Sequence, residues 1–190
     1  FVMTFLLVTA VWGTAVDERG PKIGGFGIGL TVCMDILVGG DRILGMGPNL
    51  TLPSALARTV DARGLLAVPG FIDGHVHLES SMVKIPEFGR VVVPRGTTTV
   101  IIDPHEIANV FGVKGVRLML DEASNQPIHV WVQVPSCVPS APGFETPGAS
   151  LGPEDVAEAM QWEGIIGLGE VMNFPAVFNS DEKMHAELHA

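Results

Sequence analysis

Two histidines separated by one residue, His75 and His77, are the side chains of this sequence best suited to chemistry. They end the segment 69–77, in which the apolar Phe71 and Ile72 lead into Asp-Gly-His-Val-His. Successive side chains of a β-strand point to opposite faces, so the two imidazoles would share one face. Two neutral imidazoles at this spacing can bind one Zn, Fe, Mn or Ni ion. The pattern predicts a metal site at the end of a buried strand, and a structural histidine pair is the alternative.

Polar residues also follow three later runs that have the composition of strands. If the strands are parallel, their carboxyl ends meet at one rim, and the polar residues after them form one site. These residues are Glu79, Ser80 and Ser81 after the histidines, Asp103, His105 and Glu106 after 97–103, the segment Pro135–Pro139 after 128–134, and Glu170 after 164–168.

Helical patterns separate these strand-like runs. Residues 107–122 carry apolar side chains at helical spacing, residues 154–161 form a second helical segment, and another begins at 181. Strands that alternate with helices predict parallel strands joined by right-handed crossovers. The predicted fold class is therefore α/β, a partial (β/α)8 TIM barrel of about four strands in a domain over residues 67–190.

The first third of the chain shows strand-like runs interrupted by glycine. They predict a small β-sandwich-like domain over residues 1–66, incomplete or divergent at 1–39. The apolar N-terminal dozen residues are shorter than the roughly 20 needed to span a bilayer, and they lack the basic stretch of a secretory signal. A buried strand is favoured there over a signal remnant. The strand-like runs are Phe1–Val11, Gly29–Val38, Arg42–Met46 and Arg58–Val60.

Composition restricts the possible partners. The chain has 190 residues, 47% of them hydrophobic, and a net charge of −10. That charge repels nucleic acid and anionic lipid, so we expect neither nucleic acid nor a membrane as a partner. Cys33 and Cys137 have no metal-type spacing and fit a reducing compartment, the cytoplasm, with one disulfide as the alternative.

Five blocks of the sequence follow the pattern of a known family. They are GHVHLESSM at 74–82, PRGTTT at 94–99, DPHEIAN at 103–109, PSCVP at 135–139 and GLGEVMN at 167–173. These blocks resemble the adenine deaminases of the amidohydrolase superfamily. Residues 40–64 also resemble the last strands of the small β-domain that precedes the barrel there, whereas residues 1–39 match poorly. The resemblance implies a metal-dependent hydrolase with a TIM barrel.

The resemblance implies metal-binding roles for three residues. His75 and His77 would ligate the first ion, and Glu170 would bridge two ions where other members use a carbamylated lysine. A carboxylate can span two ions about 3.5–4 Å apart, and a solvated loop glutamate is the alternative for Glu170. A binuclear Mn or Fe site is expected, and Zn also suits these ligands.

Three further residues, His105, Glu106 and Ser81, are candidates for contacting the substrate or an extra metal. For His105 and Glu106 the alternative is an ordinary helix start, where the macrodipole favours a glutamate. Ser81 and Lys84 match the Ser-x-x-Lys pattern of some serine hydrolases. The sequence lacks the Ser-Asp-Asn and Lys-Thr-Gly motifs that accompany that pattern.

The reaction implied by the resemblance is hydrolytic deamination of adenine, a small-molecule purine, to hypoxanthine and ammonia by a metal-activated hydroxide. In the superfamily the general base is an Asp after the eighth strand, and two more histidine ligands follow the fifth and sixth strands. All three are expected beyond residue 190. We therefore expect an N-terminal fragment that is inactive alone and whose open sheet edges favour aggregation or a homo-oligomer.

Three other functions are open from the residues alone. Another amidohydrolase, such as an amino-sugar deacetylase or a cyclic-amide hydrolase, would share His75, His77 and the fold. A truncated metal-binding module without catalysis is the second. A nucleotide-binding loop at 24–29 is the third, but its glycine spacing is not G-x-G-x-x-G, and flexible turns explain it better.

Overall fold

The computed structural model describes residues 68–190 and, of the residues before them, the backbone of five short strands. The chain divides into two compact units, one over 1–70 with 94–96 and one over 71–93 with 97–190. The five early strands are β1 (Leu7–Val8), β2 (Leu30–Thr31), β3 (Asp35–Gly39), β4 (Arg42–Gly47) and β5 (Leu66–Ala67).

The described strands of the first unit pair in antiparallel fashion. β5 lies between β1 and β2. β3 and β4 form a hairpin whose register shifts between Leu37 and Val38. The strand predicted at 58–60 and the glycine-rich segment at 24–29 lie outside the described residues.

The second unit is built on a four-stranded parallel sheet in the order β6-β7-β8-β9. Consecutive strands are neighbours because each crossover returns the chain beside the strand that it left. The prediction of a partial (β/α)8 barrel is confirmed, since this order and direction are those of its first four strands. The strands are β6 (Phe71–Val76), β7 (Thr97–Ile102), β8 (His129–Val134) and β9 (Ile165–Leu168).

Helices connect these strands and follow the last of them. α4 starts with Pro153, which is favoured there because the first N–H of a helix has no intrahelical partner. Among the residues that the structure describes, no helix is long and apolar enough to cross a membrane. The helices are α1 (Ile85–Val92), α2 (His105–Phe111), α3 (Val113–Ala123), α4 (Pro153–Ala159), α5 (Phe174–Phe178) and α6 (Glu182–Leu188).

The prediction of one helix over 107–122 is wrong, because two helices occupy this stretch. Gly112 ends α2 with φ +62° and ψ −145°, a conformation that residues with a Cβ rarely adopt. α2 and α3 then approach closely at Gly115, where a Cβ would lie 2.5 Å from the carbonyl oxygen of Ile107. The turn between the helices therefore depends on two glycines.

The core of the second unit lies between the helices and one face of the parallel sheet. Val100, Ile102 and Val132 are fully buried and pack with Val116 of α3. Alternate strand residues share a face, so these positions define the covered side of the sheet. Cys137 is also buried and is a free thiol, whereas Cys33 lies outside the described residues.

Candidate metal centre

His75 and His77 lie at the carboxyl end of β6. His75 belongs to the strand, and His77 follows it directly, before a 3-10 turn over Leu78–Ser81. The side chains point the same way, with their Nε2 atoms 3.2 Å apart. Their rings meet edge to face at a centroid distance of 5.0 Å. Both nitrogens can therefore approach a single ion.

Glu170 approaches the two histidines from β9, the strand at the opposite edge of the sheet. It lies two residues after β9, and its Oε1 is 3.0 Å from Nε2 of His77 and 3.8 Å from Nε2 of His75. The three ligand atoms lie within 4.8 Å of one another. Two ligands that are each about 2.1 Å from an ion are about 3–3.5 Å apart at octahedral or tetrahedral angles. The two nitrogens and the oxygen thus fit one divalent ion with little movement.

A second carboxylate faces the other nitrogen of His77. Glu106, in the first turn of α2, places its Oε2 3.1 Å from Nδ1 of His77. The hydroxyl of Ser80 donates a hydrogen bond to the other oxygen of Glu106 at 2.6 Å. An ionised carboxylate only accepts hydrogen bonds, so the tautomer of His77 with its proton on Nδ1 satisfies this contact and leaves Nε2 to bind an ion.

Carboxylates also set the electrostatics around His77. Burial lowers the pKa of His77, but the negative charges of Glu106 and Asp103 and the hydrogen bonds to carboxylates outweigh it, so the pKa is raised. Burial raises the pKa of Glu106, but the hydrogen bond from Ser80 and the charge of His77 contribute to a net lowering. The centre therefore favours positive charge, which a divalent cation would supply.

His105 and Ser81, which the sequence also suggested as contact residues, have other partners. His105 is 5% exposed and its Nε2 lies 2.6 Å from the hydroxyl of Ser140. Its ring centroid is 6.2 Å from that of His77. Ser81 donates to a carbonyl within its own 3-10 turn at 2.6 Å. Of the three suggested residues, Glu106 is the one that bonds to the histidine pair.

Several polar residues of this rim had no role assigned from the sequence. Ser80 bonds to Glu106, and Glu79 accepts the N–H of Ile107 at 3.3 Å. Burial raises the pKa of Glu79, although hydrogen bonds from backbone N–H groups oppose the shift. Ser136 bonds to the main chain of Glu170. Their position directly after a strand is the only signal in the sequence that could have indicated these contacts. Their residue types give no signal, because serine and glutamate are common in loops.

The comparison with protein families matches residues 66–188 to a family described as the amidohydrolase family. The chain is also similar to curated bacterial proteins named adenine deaminase. The protein from Moorella thermoacetica is 50% identical over 172 residues, which are 90% of this chain and 29% of that protein. The protein from Rubrobacter xylanophilus is 51% identical over 180 residues, which are 94% of this chain and 27% of that protein.

A third relative has a similar identity and coverage. The adenine deaminase of Mesorhizobium japonicum is 57% identical over 157 residues, which are 82% of this chain and 26% of that protein. The chain therefore spans less than a third of the length of these relatives. The region matched by the family includes His75, His77 and Glu170.

Proposed function

This chain belongs to the amidohydrolase family, and from that membership we propose that it supplies part of the active site of an adenine deaminase. The reaction is the hydrolysis of adenine to hypoxanthine and ammonia. The observation that carries the proposal is the convergence of His75, His77 and Glu170 in a chain at least 50% identical to three proteins of that name. Those names favour deamination of adenine over amino-sugar deacetylation or cyclic-amide hydrolysis.

In this proposal His75, His77 and Glu170 would hold a divalent metal, and the second carboxylate oxygen of Glu170 would be available to a second ion. The donor set supports it, because two imidazole nitrogens and a carboxylate oxygen suit Mn, Fe and Zn. We assign a binuclear Mn or Fe centre, with Zn as the alternative that metal analysis distinguishes. When bound, the metal supplies water that is activated for attack near neutral pH.

The chain's own side chains would orient these ligands and leave them accessible. Glu106, itself bonded to Ser80, holds His77 through its Nδ1 atom. The side chains of His75 and Glu170 are 39% and 41% exposed, so a small planar purine can approach them. The proposed compartment is the cytoplasm, because the sequence has two cysteines without metal-type spacing, which fits a reducing compartment.

The test uses the complete product of the gene that encodes this chain, expressed with added Mn²⁺. Conversion of adenine to hypoxanthine is followed by chromatography, and bound metal is measured on the same sample. His77→Ala and Glu170→Ala should each lower activity by more than the roughly 10–100-fold typical of losing an outer partner of a ligand. His189→Ala changes an exposed histidine outside the cluster and serves as the matched control.

The alternative functions predict different results. A protein that binds Mn²⁺ through His77 but leaves adenine unchanged would contradict the deaminase and favour a non-catalytic metal-binding module. Hydrolysis of an amino-sugar amide or a cyclic amide, with adenine unchanged, would identify another amidohydrolase.

A further inference from the structure

Two side chains from other strand ends hold the main chain at Glu170. Asp103, directly after β7, accepts the Glu170 N–H with its Oδ2 at 3.0 Å. Ser136, two residues after β8, donates its hydroxyl to the Glu170 carbonyl oxygen at 2.5 Å. Asp103 and Ser136 are both fully buried. The two peptide groups that flank Glu170 therefore have buried partners in the segments that follow β7 and β8.

Gly169 makes the contact with Asp103 possible. Its N–H bonds to the carbonyl oxygen of Val134 at 2.7 Å, which extends the pairing of β8 and β9 by one residue. A Cβ at Gly169 would overlap Oδ2 of Asp103 and lie 2.8 Å from its Cγ. A side chain at this position would therefore push the carboxylate away from the Glu170 N–H.

The burial of Asp103 is unfavourable in itself. Burial raises the pKa of its carboxyl, and the hydrogen bond from Glu170 opposes that shift. Within the described part of the chain, Oδ1 of Asp103 has no hydrogen-bond partner. Leaving a buried polar atom unpaired is unfavourable, because the atom loses its hydrogen bonds to water and gains none in return. The hydrogen bond from the Glu170 N–H is the first of the interactions that oppose this effect of burial, followed by those with His105, His77 and His75.

Glu170 itself needs such support. Its side chain is 41% exposed, so packing does little to restrict its rotamers. A metal ligand must be held within about 0.5 Å of its working position. Fixing the backbone on both sides of Glu170 limits where its carboxylate can lie relative to His77.

We propose that Asp103, Ser136 and Gly169 form a clamp that positions Glu170 for metal binding. Asp103 and Ser136 act through the backbone of Glu170, so they are positioning residues. Gly169 provides the space for Asp103. This inference rests on the proposed function, in which Glu170 is a metal ligand.

Metal affinity of the complete gene product tests the clamp. Mn²⁺ binding is titrated, and the electron paramagnetic resonance spectrum of bound Mn²⁺ is recorded, for the wild type and the variants Ser136→Ala, Asp103→Ala and Asp103→Asn. S136A and D103A should weaken binding by about 10–100-fold, as loss of an outer partner of a metal ligand does. D103N should recover most of the affinity, because its amide oxygen can still accept the Glu170 N–H.

The control and a double variant sharpen the test. Ser124→Ala removes a hydroxyl that bonds at the end of α3, and should keep wild-type affinity. Gly169→Ala alone should weaken Mn²⁺ binding about as much as D103A. In D103A/G169A the carboxylate that the new Cβ would meet is absent, so the two losses should not add.

The outcomes separate the clamp from the proposed function. Wild-type affinity in both S136A and D103A would overturn the clamp and leave Glu170 as a ligand. Equal losses in D103N and D103A would also overturn it, because the charge of Asp103 rather than its hydrogen bond would then be required. Failure of the wild type to bind Mn²⁺ would refute the proposed function and the clamp with it. Circular dichroism establishes whether each variant folds. If D103A does not fold, the affinity of S136A, which lacks only the hydroxyl oxygen, tests the clamp.

Discussion

Both ring nitrogens of His77 face carboxylates, Nε2 towards Glu170 and Nδ1 towards Glu106. A neutral imidazole presents one N–H and one lone pair, so the partner at one nitrogen determines which nitrogen remains for an ion. In the tautomer with its proton on Nδ1, His77 donates to the carboxylate of Glu106, and Nε2 is the nitrogen that remains. In the proposed metal centre Glu106 would be an outer partner of a ligand, which differs from the contact to substrate or to an extra metal considered from the sequence.

Replacing Glu106 with alanine should therefore weaken Mn²⁺ binding by about 10–100-fold in the complete gene product. Glu106→Gln should recover most of this loss, because its amide oxygen can accept the hydrogen bond from Nδ1. Glu87→Ala, which removes a carboxylate paired with Arg90 on the surface of α1, is the matched control. Affinity is measured by competition with a chelator. Unchanged affinity in E106A would show that another group fixes the imidazole.

The spacing of residues along the sequence predicts the positions of some of these side chains but not of others. His75 and His77 share a face because strand alternation is a local rule that spacing alone expresses. The hydroxyl that bonds to Glu106 belongs to Ser80. Ser81, which the sequence suggested as a contact to substrate or an extra metal, bonds within its own turn. The two serines lie in one 3-10 turn, and the rotation of such a turn depends on how its flanking elements pack. Spacing therefore predicts the rim and leaves the individual contacts to tertiary structure.

At the scale of elements, the strands were predictable and the helix pair was not. The run Thr97–Ile102 forms β7 as predicted, because β-branched residues between polar segments strongly favour a buried strand. The apolar spacing over 107–122 fits one helix as well as two. The separation of α2 from α3 depends on Gly112 and on close packing at Gly115, which a periodicity of side chains does not express.

Gly115→Ala should lower the free energy of unfolding. Alanine gains about 1 kcal/mol of helix propensity over glycine. Its Cβ would lie 2.5 Å from the carbonyl oxygen of Ile107, however, and overpacking costs about 1–3 kcal/mol. Because the overlapping atom belongs to the backbone of α2, it cannot move aside easily. We therefore expect the free-energy cost of the overlap to exceed the gain from helix propensity. Urea denaturation followed by circular dichroism gives the difference.

Gly167→Ala in β9 is the matched control, since a Cβ there would meet no atom within 4 Å. It should leave the unfolding midpoint close to that of the wild type. Greater stability in G115A than in the wild type would mean that α2 and α3 separate easily and that propensity dominates.

At the scale of the whole molecule, helices bury one face of the parallel sheet, whereas apolar side chains on the other face are exposed. Val100 and Val132 lie on the helix side and are fully buried. On the opposite side Ile72, Trp131 and Ile166 remain 67%, 44% and 45% exposed. Registered residues of parallel strands point to the same side, and three large apolar side chains on one sheet face form a surface that favours association.

We therefore expect this 190-residue chain to self-associate through the exposed sheet face (Ile72, Trp131 and Ile166). Light scattering after size-exclusion chromatography should show a mass that rises with concentration. Replacing all three residues with threonine should shift the chain towards monomer, because threonine keeps strand propensity while removing apolar area.

The matched control replaces three exposed apolar residues of the helical surface, Val110, Phe111 and Leu118, with threonine. If the sheet face is the contact, this control self-associates like the wild type. A shift to monomer in the control, with none in the sheet-face variant, would place the contact on the helices instead. A wild-type chain that stays monomeric at every concentration would contradict the predicted self-association. The two variants differ only in which surface loses apolar area, so their comparison assigns the association to one side of the sheet.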